Sequence, residues 1–140
     1  GVGAQNSDSG LTSRLLGADL RFTIRPPDAG TRKDLTWRTE AYRLQRVGPD
    51  PTTTRYGMYS DLSWKLSQRW ILGARYDFVE APLGPEDDTW RATAVATWWQ
   101  SEFVYLRLQA YRNHLESTGS LDNLTLQVVW AMGPHKHENY

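Results

Sequence analysis

Between Tyr56 and Phe78 the chain alternates in character residue by residue, and few folds accept such a stretch. Rising through Tyr56, Met58, Ser60, Leu62, Trp64 and Leu66, every second side chain lies on one face. After the polar connection Ser67-Gln68-Arg69, the same face returns as Trp70, Leu72, Ala74, Tyr76 and Phe78. It is mostly apolar, with aromatics at both ends. The opposite face carries Gly57, Tyr59, Asp61, Ser63 and Lys65, then Ile71, Gly73, Arg75 and Asp77. Successive strand side chains point to opposite faces, so this period means a β-hairpin. Its strands are long for a soluble domain, where about 5–6 residues is usual. A tilted strand crossing a bilayer needs roughly 9–11.

Comparable strands read from about Leu16 to Arg25, Leu35 to Arg46, Thr89 to Trp99, Phe103 to Asn113 and Asn123 to Met132. With the hairpin they make about seven, and no segment has helical periodicity. Short links between neighbours predict antiparallel pairing, giving an all-β, up-and-down meander. Residues 1–15 read as a loop remnant, 16–132 as the strands, and 133–140 as a C-terminal tail. Pro- and Gly-rich connections fall at 26–34, 47–55 and 80–88, and a Ser/Thr/Gly one at 114–122. The connections at 67–69 and 100–102 are tight. Short turns on one side and long loops on the other characterise membrane barrels; the long link at 26–34 falls on the short side, against that pattern.

Composition narrows the function classes. The 140 residues carry 16 basic and 16 acidic side chains, so the net charge is zero, which offers no electrostatic footprint for nucleic acid. Without cysteine there is no disulfide frame or thiolate nucleophile. The mean hydropathy of −0.62 does not bear on a membrane barrel, because only half of each strand faces lipid. The chain begins at Gly1 without a leader, so either a signal peptide has been removed or earlier strands are missing. The odd strand number favours the second, since bacterial barrels close with an even number.

The apolar faces end in aromatics. Trp37, Trp64, Trp70, Trp98 and Trp130 gather toward the short-turn side, and Tyr56, Tyr76, Phe78 and Trp90 toward the long-loop side. Leu, Ala and Val lie between. Trp and Tyr favour the headgroup level, so two belts are what a bilayer selects. Eight residues separate Trp90 from Trp98, roughly 26 Å at about 3.3 Å each. A 45° tilt makes that about 19 Å of height, near the ~25 Å apolar band of a membrane barrel. The opposite faces place Arg21, Arg38, Glu40, Asp61, Lys65, Arg75, Asp77, Arg91 and Arg107 at mid-strand, a set suited to lining a watery lumen. A soluble barrel or sandwich with the apolar face inward fits the alternation equally. Its Trp residues would then wall a pocket for a small apolar ligand.

These features together resemble the C-terminal part of a Gram-negative outer-membrane β-barrel of the porin or TonB-dependent-receptor type. The resemblance rests on Leu35-Thr-Trp-Arg-Thr-Glu40, the girdled hairpins at 56–78 and 89–113, and the closing pattern Leu124-x-Leu-x-Val-x-Trp130. Such barrels end in a strand with a terminal aromatic; here Gly133-Pro134 separates Tyr140 from the last strand. The resemblance implies outer-membrane localisation, a lipid bilayer and preceding strands of a larger barrel as partners, and passage of a small polar solute. Arg38, Arg75, Arg91 and Arg107 would favour anions where acidic partners do not cancel them.

The chemistry of an enzyme is not in view. No GxSxG, GxGxxG or P-loop occurs, and no cofactor or catalytic residue is assigned. Glu40, Asp61 and Asp77 lie among arginines and read as ion pairs rather than an acid–base pair. No metal site is assigned. His135 and His137, at i and i+2 beside Glu138, are the residues suited to ligate Zn²⁺ or Cu²⁺; the plainer reading is an exposed polar tail. Glu86-Asp87-Asp88 and His114 read as solvated loop residues.

Overall fold

A computed structural model describes residues 2–6, 12–27, 33–47, 52–81, 88–116 and 118–130; for 2–6 it describes the backbone alone. The strands are β1 (Val2–Asn6), β2 (Thr12–Ile24), β3 (Asp34–Val47), β4 (Thr53–Lys65), β5 (Trp70–Val79), β6 (Thr89–Trp99), β7 (Val104–Leu115) and β8 (Gly119–Trp130). They form one eight-stranded sheet in chain order, each pairing antiparallel with the next. The all-β meander expected from alternation is therefore the fold. The sheet is not closed into a barrel: among the described residues, β1 and β8 have no strand on their outer sides.

Two stretches read as loop are strand, because pairing overrides composition. Val2–Asn6, read within a loop remnant, pairs with Thr12–Leu16 and adds a strand to the seven expected. The Ser/Thr/Gly stretch at 114–122 is largely strand. His114 and Leu115 pair with Ser120 and Gly119, and Gly119 takes a φ of +85°, a conformation that glycine adopts without a Cβ clash. β8 is described as far as Trp130, and Met132 lies outside the described residues. With these corrections the regular alternation of short and long connections is gone. Residues 25–33 intervene on the side of the tight turns, and 116–118 on the other.

Both tight turns are anchored by serine. At one, Leu66 N–H donates to the Trp70 carbonyl at 2.9 Å, and Ser67 Oγ accepts from the amides of Arg69 and Trp70, each at 3.2 Å. The second repeats the device: Gln100 N–H donates to the Val104 carbonyl at 2.9 Å, and Ser101 Oγ accepts from Phe103 N–H at 3.3 Å. A short side chain that satisfies the turn amides lets the strands begin pairing at once.

Register then sorts the side chains. Directly opposed residues share a face, and the pairing runs Phe22, Trp37, Leu62, Ala74, Ala94, Ala110 and Leu124 across β2 to β8. Every apolar face thus lands on one side of the sheet. The row Arg21, Arg38, Asp61, Arg75, Thr93, Tyr111 and Asn123 lies on the other. A slip of one residue at any strand would break both faces.

Burial is inverted relative to a soluble sheet. Among the described residues Ala81 is the one buried apolar residue, and no large side chain is fully buried. Along β4, Met58, Leu62 and Trp64 are exposed, whereas Tyr59, Ser63 and Lys65 are half-buried and Asp61 is buried. In β6, Ala92 and Ala94 are exposed and Thr97 is buried. On β4 to β7 the apolar face is mostly the more exposed of the two, whereas on β2 and β8 both faces are exposed.

Candidate functional site

The polar face has two parts. On β3 to β5 it is an interlocked ionic lattice. Arg38 Nη2 donates to Asp61 Oδ2 at 3.0 Å. Asp61 is 8% exposed, and its other oxygen, Oδ1, has no hydrogen-bond partner among the described residues. Arg75 is held by Asp77 through Nε and Nη2, at 2.6 to 3.0 Å. The Arg75 guanidinium also lies 4.1 Å from the centre of the Tyr59 ring. Glu40 accepts from the hydroxyls of Tyr59, at 2.5 Å, and Tyr42. The register explains this mesh: Arg38, Asp61 and Arg75 are directly opposed on three successive strands, and Glu40 and Tyr59 face each other. Alternating charge at strand spacing forms ion pairs without reaching.

On β6 to β8 the same face changes character. Its residues there are Thr, Val, Tyr, Gln, Asn and Trp, with Leu115, Gly119 and Leu121 at the far end and Arg91 and Arg107 as the two charged groups. Both arginines are held by neutral partners. Arg91 Nε donates to Asn113 Oδ1 at 2.5 Å and lies 5.1 Å from the Tyr111 ring centre. Arg107 Nε donates to the buried Thr97 hydroxyl at 3.2 Å and lies 5.3 Å from the Tyr105 ring centre. Tyr105 packs on Trp99 with ring centres 4.8 Å apart. Cation–π contact, an amide and a hydroxyl position these guanidiniums; Arg91 also stands directly opposite Asp77 on β5.

All nine residues expected to line a lumen share this face. Arg21 is exposed and stands directly opposite Arg38. Lys65 sits at the tight-turn end, opposed to Asp34 and Ile71. Sequence alternation did not single out Tyr42, Tyr59, Tyr105, Tyr111, Thr97 and Asn113 as the groups that hold the charges. Their signal was parity, since each has the same odd–even phase along its strand as the charged residues.

The apolar face carries the expected belts, with one displacement. Trp70 packs on Trp98 with ring centres 6.5 Å apart. Trp90 stacks between Tyr76 at 6.2 Å and His114 at 5.5 Å. Thus His114, expected to be a solvated loop residue, belongs to the second belt, and its Nδ1 lies 2.9 Å from Ser120 Oγ. Trp37 is one row inside its belt, level with Ala74 and Ala94. Its indole N–H donates to Ser60 Oγ at 2.8 Å, the kind of internal partner a polar group needs away from water.

The apolar stripe slides across the register. On β2 it extends beyond the row of Ala18, Ala41, Met58, Phe78 and Trp90 to Leu16; on β7 and β8 it stops at Ala110 and Leu124, before the ion pair Arg112–Asp122. At the other end it stops at Ile24 and Leu35 on β2 and β3, but continues past the equivalent Leu108 and Leu126 to Val104 and Trp130. Both edges shift the same way, by about four to six residues between β2 and β8. At about 3.3 Å per residue and 4.8 Å per strand, a level band would cross strands tilted by roughly 25–35°. Membrane barrels tilt theirs by about 35–45°.

No family model, curated protein or solved structure matches the chain. Among the described residues no three His, Asp or Glu side chains gather as a metal site. His135 and His137 lie outside the described residues, as do Glu86 and Asp87 of the acidic loop and Tyr140.

Proposed function

We propose that this chain forms part of the wall of a β-barrel in the outer membrane of a Gram-negative cell, with the apolar face toward lipid and the polar face toward a passage for a small polar solute. The observation that carries this reading is the burial: a large apolar face that nothing among the described residues covers, backed by an ionic lattice that holds Asp61 buried. The tilt of the apolar stripe and the aromatic belts support the same orientation. The strand number is eight, so the odd count no longer argues for missing strands; in lipid the edges of β1 and β8 must be paired, with each other or with further strands, because unpaired backbone is not tolerated there. Along the passage Arg107 is held by neutral groups alone, while Arg91 stands directly opposite Asp77, already engaged by Arg75; this part of the face favours anionic over cationic solutes. A soluble sandwich with an apolar ligand pocket needs the opposite burial and draws no support from it.

The test is refolding of the full chain with and without detergent. The proposed orientation gives aggregation in plain buffer, rescue by detergent or lipid vesicles, and a band whose gel mobility changes on heating. A monodisperse folded monomer in plain buffer contradicts it.

A further inference from the structure

The outward face ends differently on β2 and β3 than elsewhere. There the apolar stripe, Leu16 and Ala18 beside Ala41 and Met58, runs directly into Arg14 and Arg43. Leu16 opposes Arg43, and Arg14 opposes Gln45. The two arginines are therefore diagonal neighbours, roughly 7–8 Å apart and within mutual reach of long side chains. Both are exposed. Neither takes part in the ion pairs found among the described residues. No carboxylate stands next to them on this face of β2 to β4. Among the described residues the nearest acid along the border, Glu80, lies on the far side of β4 and accepts from the Tyr56 amide at 2.9 Å. Tyr56, itself exposed, is the direct register partner of Arg43.

Two like charges side by side repel, and an anion between them relieves the repulsion. Ala18, Ala41 and Met58 form one row, Leu16, Arg43 and Tyr56 the next, and Arg14 lies beyond. Aliphatic surface thus gives way to a guanidinium and an aromatic hydroxyl at one level, and then to a second guanidinium, as acyl chain gives way to headgroup in a lipid. The contrast with β7 and β8 is direct: there the corresponding border arginine, Arg112, is already closed by Asp122 at 2.6 and 2.7 Å.

We infer that Arg14 and Arg43, with the Tyr56 hydroxyl, form a binding site for the phosphate headgroup of an anionic lipid at the edge of the membrane band. The inference rests on the orientation proposed above. Guanidinium forks match phosphate oxygens in pairs, and acyl chains of the same lipid would lie on Leu16, Ala41 and Met58.

The experiment uses the full chain folded in dodecyl maltoside micelles, with phosphatidic acid or phosphatidylcholine added and bound lipid counted by native mass spectrometry. Phosphatidic acid should bind at least ten-fold more tightly than phosphatidylcholine. The R14Q/R43Q variant should lose roughly ten- to thirty-fold of that binding, as two basic residues at an anionic surface imply. Each single variant should lose several-fold, and R69Q, which removes a cation at the opposite rim, should lose nothing. Heat-modifiable mobility shows that each variant is folded. Equal binding of the two lipids, or a preference that survives R14Q/R43Q, overturns the site. Displacement of phosphatidic acid by an equal concentration of inorganic phosphate overturns the lipid as its occupant. A separate arm in vesicles with brominated acyl chains tests the orientation. Tryptophan quenching without headgroup preference sinks the site alone, and absence of quenching sinks both.

Discussion

The polar face of β3 to β5 and that of β6 to β8 belong to one sheet and share one alternation, yet they hold charge in different ways. In the first, Arg38 and Arg75 are matched by Asp61 and Asp77, and Glu40 is gripped by two tyrosines. In the second, Arg91 and Arg107 rest on Asn113, Thr97 and tyrosine rings. A compensated lattice contributes stiffness and little net field. Two cations on neutral supports contribute field and little stiffness. The difference teaches that a charged strand face is not one functional unit. On the proposed function, the first half is the scaffold and the second presents charge to the passage.

The largest expected break in this comparison is Asp61→Ala. It leaves Arg38 without its carboxylate and removes a charge opposed to Arg75, so the protein should lose about 1–3 kcal/mol in urea unfolding from detergent. Arg107→Gln, in the other half, should lose less than about 1 kcal/mol. Equal losses would erase the distinction. Next is a citrate titration followed through the arginine Nε–H signals by NMR. Arg107 should shift at roughly ten-fold lower citrate than Arg38 and Arg75, since charge-assisted bonds form where no carboxylate competes, and Arg91, opposite Asp77, should fall between them. A common midpoint would count against an unequal field. Smaller again is Thr97→Val, which removes the 3.2 Å tether on Arg107. It should lower stability by about 1 kcal/mol and leave citrate binding by Arg91 unchanged. Smallest is Arg112→Ala. Its pair with Asp122 is exposed on both sides, so about 0.2–1 kcal/mol is expected in unfolding, diminishing as salt is raised.

How much of this was legible in the sequence follows from which signals are local. Alternation is local, so the strands at 56–78 and 89–113 and the membership of each face could be read directly. The nine candidate lumen residues fall on one face because parity survives any register that keeps the hydrophobics together. Pairing is not local. Val2–Asn6 has no marked pattern and becomes a strand through its neighbour at Thr12–Leu16. The stretch at 114–122 has loop composition and pairs because Gly119 turns the chain sharply. Partnership across strands was equally out of reach. Nothing in Asp61, Arg38 or Arg75 taken singly says that the three are opposed, and nothing in Arg107 says that Thr97 holds it. The sliding of the apolar stripe needs the whole register. It replaces loop-length alternation, which does not survive the observed strand ends, as support for a tilted sheet in a slab.

The central claim is that lipid covers the apolar face. The chain has no cysteine, so single cysteines introduced at Thr93, Ala94 and Val95 can each carry one bimane label without background. In vesicles containing brominated acyl chains, label on A94C should be strongly quenched, while label on T93C and V95C should keep its emission. Equal emission at all three positions, or an A94C label shielded from both bromine and water in a monomer folded in plain buffer, would contradict the account.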